Sequence, residues 1–127
     1  MTNEPCKMTV FKEFKFESAH RLDHLPDDHK CKRFHGHSYR LRVYVCGIVD
    51  PVMGWVIDFD DIKKACGPLV NQLDHRFLND IEGLGISTSE NICRWFWQRL
   101  HGQLPGLLKI ELWETSTCGA VFEGNQQ

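Results

Sequence analysis

Three stretches of the chain alternate apolar and polar positions with a period of two, and two stretches between them repeat at three and four. From Met8 to His20 the even positions Met8, Val10, Phe14, Phe16 and His20 share one side, with Lys12 and Ser18 as interruptions, which predicts a strand with one core face. From His35 to Cys46 the odd positions take over: His35, His37, Tyr39, Leu41, Val43 and Val45 stand against Ser38, Arg40 and Arg42, predicting a second strand. The polar segment between them, Arg21 to Phe34, is long for a hairpin connection. After a turn at "DPVMG", "WVIDF" predicts a short strand. Asp58 and Asp61 then read as the start of a helix whose apolar side is Phe59, Ile62, Cys66, Leu69 and Leu73, with a kink predicted at Pro68. A second helix begins at "STSEN", where Ser87 and Glu90 fit a capping box, continues through Ile92, Trp95, Phe96, Arg99 and Leu100, and stops near Gly102. "LLKIELWET" returns to alternation with Leu108, Ile110, Leu112 and Glu114 on one side, and "GAVFEG" predicts a last short strand. Strands, then helices, then strands make an α+β layer, with helices packed on an antiparallel sheet.

The same alternation decides where chemistry can gather. His35 and His37 are two apart on one strand, so both imidazoles leave the same face, and Gly36 leaves space on the other. If the first two strands are antiparallel neighbours, His20 arrives beside them. Three neutral nitrogen donors with an open fourth position are the coordination expected of a catalytic Zn2+, whereas structural zinc sites are closed by four ligands rich in cysteine. The competing reading is a pair of hydrogen-bonded core histidines; the matching parity of His20 favours the metal.

Cys31 precedes His35 by four residues and lies in the loop, able to approach the open side of such a metal without occupying it. A thiol beside a cation suits a general base, although a single loop cysteine also reads as a surface thiol. Asp74 and His75 fall at the end of the first helix, where a histidine is either a C-terminal cap or, with a carboxylate beside it, a proton-transfer group. Glu114, on the apolar side of its strand, needs a partner, and a flat heterocycle presenting N–H donors would be one. His24, His29 and His101 have no comparable constellation and read as surface residues; the tryptophans read as packing.

Composition narrows the partners. A chain of 127 residues suits a single domain, 1–127. A formal charge of −2 carries no basic excess, so nucleic acid is not an expected partner. No apolar run approaches the length of a membrane span, and Lys7, Lys12, Glu13 and Lys15 occupy the place of a signal peptide's apolar region, so a cytoplasmic protein without membrane contact is expected. The six cysteines are scattered without a C-x-x-C pair and are read as reduced thiols, leaving Cys31 available.

"FKFESAH", "CKRFHGHSY", "GWVIDFDDIK", "LDHRFLND", "STSENI" and "ELWETSTCG" occur in this order over nearly the whole chain. The set resembles the 6-pyruvoyl-tetrahydropterin synthase family, and the short C-x-x-x-H-G-H spacing resembles its bacterial 6-carboxy-5,6,7,8-tetrahydropterin synthase branch of queuosine biosynthesis. The pyruvoyl branch sets the cysteine farther ahead of H-G-H, and a third branch has glutamate in its place. The resemblance implies the tunnelling fold: four main antiparallel strands and two helices per subunit, three subunits closing a barrel, and a homo-oligomer that is a trimer or a hexamer. It implies His20, His35 and His37 as Zn2+ ligands, Cys31 as general base, Asp74 with His75 as proton relay, and Glu114 as anchor of the pterin, assisted by Thr88, Ser89 and Glu90. The implied substrate is 7,8-dihydroneopterin triphosphate, and the products are 6-carboxy-5,6,7,8-tetrahydropterin, acetaldehyde and triphosphate; Lys30 and Arg33 are basic candidates near the loop for the phosphates, a role the sequence does not fix. The alternatives are the pyruvoyl synthase and a non-catalytic zinc- and pterin-binding module of the same fold.

Overall fold

The computed structural model describes residues 4–124. Two long strands, β1 (Lys7–His20) and β2 (His35–Ile48), pair antiparallel without slippage from Lys7 opposite Ile48 to His20 opposite His35. The helices α1 (Phe59–Leu73) and α2 (Ser89–Leu100) follow, separated by a two-residue strand β3 (Arg76–Phe77), and β4 (Leu107–Trp113) and β5 (Gly119–Phe122) close the chain. The sheet order is β3-β1-β2-β4-β5. The four antiparallel strands and two helices are those expected; β3 is an addition, and it runs parallel to β1, pairing Arg76 with Ser18. Within one chain the sheet is open, with β3 and β5 at its edges.

One side of the sheet carries both helices. Phe16, Tyr39, Leu41, Val43, Val45, Ile110 and Leu112 meet Ile62, Cys66 and Leu73 of α1 and Ile92, Trp95, Phe96 and Leu100 of α2 in one buried cluster. Burial of this many large apolar side chains is the main favourable term, at roughly 1.5–3 kcal/mol for each one fully covered. The polar interruption Ser18 is buried among them because its hydroxyl donates to the Leu73 carbonyl at the end of α1. The helix-free side is knit by charge instead. Glu13 accepts from Arg40 and Arg42, Tyr44 donates to Glu111, and Lys109 lies over the Tyr44 ring.

Four local expectations change. "WVIDF" forms no strand: Asp50 closes the preceding turn by accepting from Val52 and Met53, its own N–H donates to Trp55, and the chain passes straight to the Asp58 cap. Leu108 is 41% exposed because a register shift opposite Tyr44 and Val45 makes it the extra residue of a bulge. Met8 and Phe59 stay half exposed beside Trp55, outside the helices' cover. The cap of α2 is Thr88, whose hydroxyl accepts from the Asn91 N–H at 3.3 Å, in place of Ser87. Ser87 has another task. α1 runs through Pro68 as a helix of 15 residues. No helix among the described residues is long and apolar enough to cross a membrane.

Candidate metal centre and active site

The last residue of β1 faces the first of β2. That pairing sets His20 opposite His35 and Ser18 opposite His37, and the period of two turns all three imidazoles to the helix side of the sheet. Their ring centroids lie 4.5, 5.1 and 4.9 Å apart, and one nitrogen from each falls within 4.8 Å of the others. Two of the rings are aimed by carbonyls. His20 Nδ1 lies 2.9 Å from the Ser87 carbonyl oxygen and 3.2 Å from its hydroxyl, and His35 Nδ1 lies 2.7 Å from the Arg33 carbonyl oxygen. An Nδ1–H donated to a carbonyl leaves the Nε2 lone pair free to face inward.

His20 is 1% exposed, and its Nε2 has no hydrogen-bond partner. An orphaned buried nitrogen is costly, and here it points at two other imidazoles. Burial holds His20 below the ordinary histidine value, reinforced by the nearby His35 and His37 and opposed by the Ser87 carbonyl and Glu114. Burial likewise lowers His37, with His35 adding to the shift and Glu114 opposing it. Neutral imidazoles are the form that binds a metal, so the donor set fits a divalent cation of the zinc class, with three nitrogens and an open side.

Glu114 stands one residue beyond β4, where its strand parity carries it to the same side. Its Oε1 lies 3.6 Å from both His20 Nε2 and His37 Nε2. Cys31 sits in a single 3₁₀ turn, Lys30–Lys32, whose cap His29 accepts from the Cys31 N–H, while the Cys31 carbonyl accepts from the Leu22 N–H just past β1. The turn brings Cys31 to a cavity of about 470 Å³ that it lines together with the triad, Lys30, Glu114 and Thr115. Cys66 and Cys93, by contrast, are buried, and desolvation pushes both thiols up to about 12. They are inert packing; Cys31 is partly exposed at the cavity.

Asp74 and His75 are not in that cavity. Asp74 Oδ1 accepts from the Glu17 N–H at 2.9 Å and lies 3.0 Å from His75 Nδ1. These contacts, the Glu17 N–H foremost, hold its carboxyl below the usual carboxylate range. His75 takes the left-handed φ of 56°, and its N–H donates to the Glu17 carbonyl, which starts β3. The ring lines a second cavity, about 480 Å³, with Glu17, Ser38, Phe77 and the outer side of Gly36. A Cβ on Gly36 would stand 3.4 Å from the Ser18 carbonyl oxygen. His37 borders both cavities. Thr88, Ser89 and Glu90 start α2, Thr88 as its cap, and none of them lines the triad's cavity. The positions that motif reading missed are Ser87, whose capping-box signature hides its contact with His20, and Glu17, whose backbone docks the Asp74–His75 pair.

The family model described as 6-pyruvoyl tetrahydropterin synthase matches residues 9–125. The chain belongs to the 6-pyruvoyl tetrahydropterin synthase family. Among its relatives is a protein of Synechocystis sp. named 6-carboxy-5,6,7,8-tetrahydropterin synthase, 44% identical over 119 residues that span 89% of this chain and 91% of the relative. Another, named 6-pyruvoyl tetrahydrobiopterin synthase, from Pongo abelii, is 34% identical over 94% of this chain and 93% of its own. The solved structure of Caenorhabditis elegans 6-pyruvoyl tetrahydropterin synthase superposes with a TM-score of 0.86 at 30% identity, covering 94% of this chain and 97% of that one. These three relatives are pterin synthases by name, and the fold seen here is that of the solved one.

Proposed function

We propose that the protein is a zinc-dependent 6-carboxy-5,6,7,8-tetrahydropterin synthase that converts 7,8-dihydroneopterin triphosphate, with release of acetaldehyde and triphosphate, in queuosine biosynthesis. The observation that carries this reading is the convergence of His20, His35 and His37, one buried nitrogen unpartnered, in a cavity that also holds Cys31 and Glu114. The similarity to the Synechocystis synthase supports the choice of branch.

His20, His35 and His37 would hold the zinc, which when bound would supply Lewis-acid polarisation of the substrate's side-chain hydroxyls. Cys31 removes the proton from the adjacent carbon. Glu114 accepts N–H donors of the pterin edge and orients the side chain toward the triad. Asp74 fixes the His75 ring through Nδ1, so that Nε2 is the nitrogen that handles the proton returned to the heterocycle. In one chain this pair faces the other cavity, which supports a homo-oligomeric enzyme in which His75 serves a site completed across a subunit boundary. Thr88, Ser89 and Glu90, outside the triad's cavity, belong to the same boundary in this reading.

Purified zinc-loaded protein is incubated with 7,8-dihydroneopterin triphosphate, and acetaldehyde and product mass are followed. Acetaldehyde with a carboxylated tetrahydropterin is expected; a pyruvoyl product without acetaldehyde overturns the assignment in favour of the sister activity.

A further inference from the structure

The triad's cavity has two chemically different ends. On the β4 side Glu114 approaches His37 and His20, placing a carboxylate against the inner end. Beyond the His20–His35 pair, where the strands stop, the wall is the Lys30–Lys32 turn. Lys30 alone among the cavity-lining residues is a lysine or arginine. Its neighbours are engaged elsewhere: Lys32 is paired with Asp27, and Arg33 gives its carbonyl to His35 and does not line the cavity. Lys30 has no carboxylate within ion-pair distance among the described residues, and it is exposed. The corner that carries it is pinned, because the next residue's carbonyl accepts from Leu22 N–H at 2.9 Å and the Lys30 carbonyl accepts from Arg33 N–H at 3.1 Å.

We infer that Lys30 is the anion subsite of the cavity, holding the phosphate chain of the substrate at the rim while Glu114 holds the heterocycle within, so that the reacting side chain is stretched across the triad. A carboxylate at one end and an unpaired ammonium at the other admit a molecule with N–H donors at its head and negative charge at its tail in one orientation only. The ammonium is a compact point charge suited to phosphate oxygens, and an unpaired cation loses no existing partner when the anion arrives. This inference rests on the proposed triphosphate substrate, and the test separates the two.

Inorganic tripolyphosphate is titrated calorimetrically into zinc-loaded wild type, Lys30→Ala, Lys30→Arg and Lys32→Ala proteins, and KM and kcat for 7,8-dihydroneopterin triphosphate are measured in parallel. Lys30→Ala is expected to weaken tripolyphosphate about tenfold and to raise KM by a similar factor, Lys30→Arg to recover most of both, and Lys32→Ala to stay within about twofold. Unchanged tripolyphosphate affinity in Lys30→Ala overturns the inference, as do equal losses in Lys30→Ala and Lys32→Ala, which would make the loop a diffuse positive field. A fall in kcat at constant tripolyphosphate affinity, with a shifted pH profile for alkylation of Cys31, also overturns it and places Lys30 on the thiol. Loss of tripolyphosphate binding in Lys30→Ala, in a wild type that does not turn the pterin over, supports the subsite and rejects the substrate.

Discussion

The two sides of the sheet at Gly36 are built from neighbouring residues and by opposite means. On the helix side, His20, His35 and His37 are dry or half-buried, two of them aimed by backbone carbonyls, and share a cavity with a thiol and a carboxylate. On the helix-free side, His75 is 77% exposed, held only by Asp74 and by a left-handed backbone docked on Glu17. Rigid aiming in a low-dielectric pocket suits metal ligands, whose geometry must be set before the ion arrives. An exposed ring held at one nitrogen suits a group that passes a proton and must reach a partner surface. In the proposed reading the chain carries two halves of a site, and the wall between the two cavities is a strand pair with Gly36 in it.

The largest expected effect tests the helix side. His35→Ala should strip the metal, lowering its affinity at least about a hundredfold and abolishing turnover, as read by elemental analysis of the purified protein; full metal content in this variant would remove the triad from the argument. Cys31→Ala should keep the metal and cut turnover by about 10²–10⁴. If that variant keeps its rate, the thiol is not the base.

Crossing the wall sharpens the contrast. His75→Ala should also keep the metal and lose most turnover. Co-assembled with Cys31→Ala subunits in equal amounts, it should recover about a quarter of the wild-type rate, the statistical share of sites made from two intact halves. No recovery above the two parents would confine each site to one chain.

The smallest effect concerns the charge network that knits the helix-free face. Arg40 and Arg42 hold the Glu13 carboxyl below its ordinary value. A depressed folded value contributes stability above the unfolded one, near 4.5, and that contribution is lost as pH falls through the folded value. Glu13→Gln should therefore cost about 1 kcal/mol or less at neutral pH and flatten the fall of Tm in the acid range below 4.5, leaving metal content unchanged. A Tm against pH curve parallel to wild type would show that these bonds contribute nothing to the sheet.

Much of this was legible in the residues because alternation is local. The parity of His20 in β1 and of His35 and His37 in β2, together with unshifted pairing, is enough to put three imidazoles on one side, and the same parity places Glu114. Motif order carried the family. What local pattern could not supply were contacts between segments far apart in the chain. Leu108 left the core because a bulge shifted the register, and "WVIDF" formed no strand because the Asp50 turn, closed by the Asp50 N–H on the Trp55 carbonyl, leads straight into the Asp58 cap.

Sequence by itself therefore determined which side chains could share a face, since a strand's geometry repeats every two residues whatever surrounds it. Only the tertiary structure decided that Ser87, 67 residues from His20, would bring a carbonyl to its ring, and that Asp74 and His75 would dock on Glu17 across the sheet from the triad. Those placements depend on where α1 and α2 settle on the core, and that is set by the summed burial of both helices, which no single segment encodes.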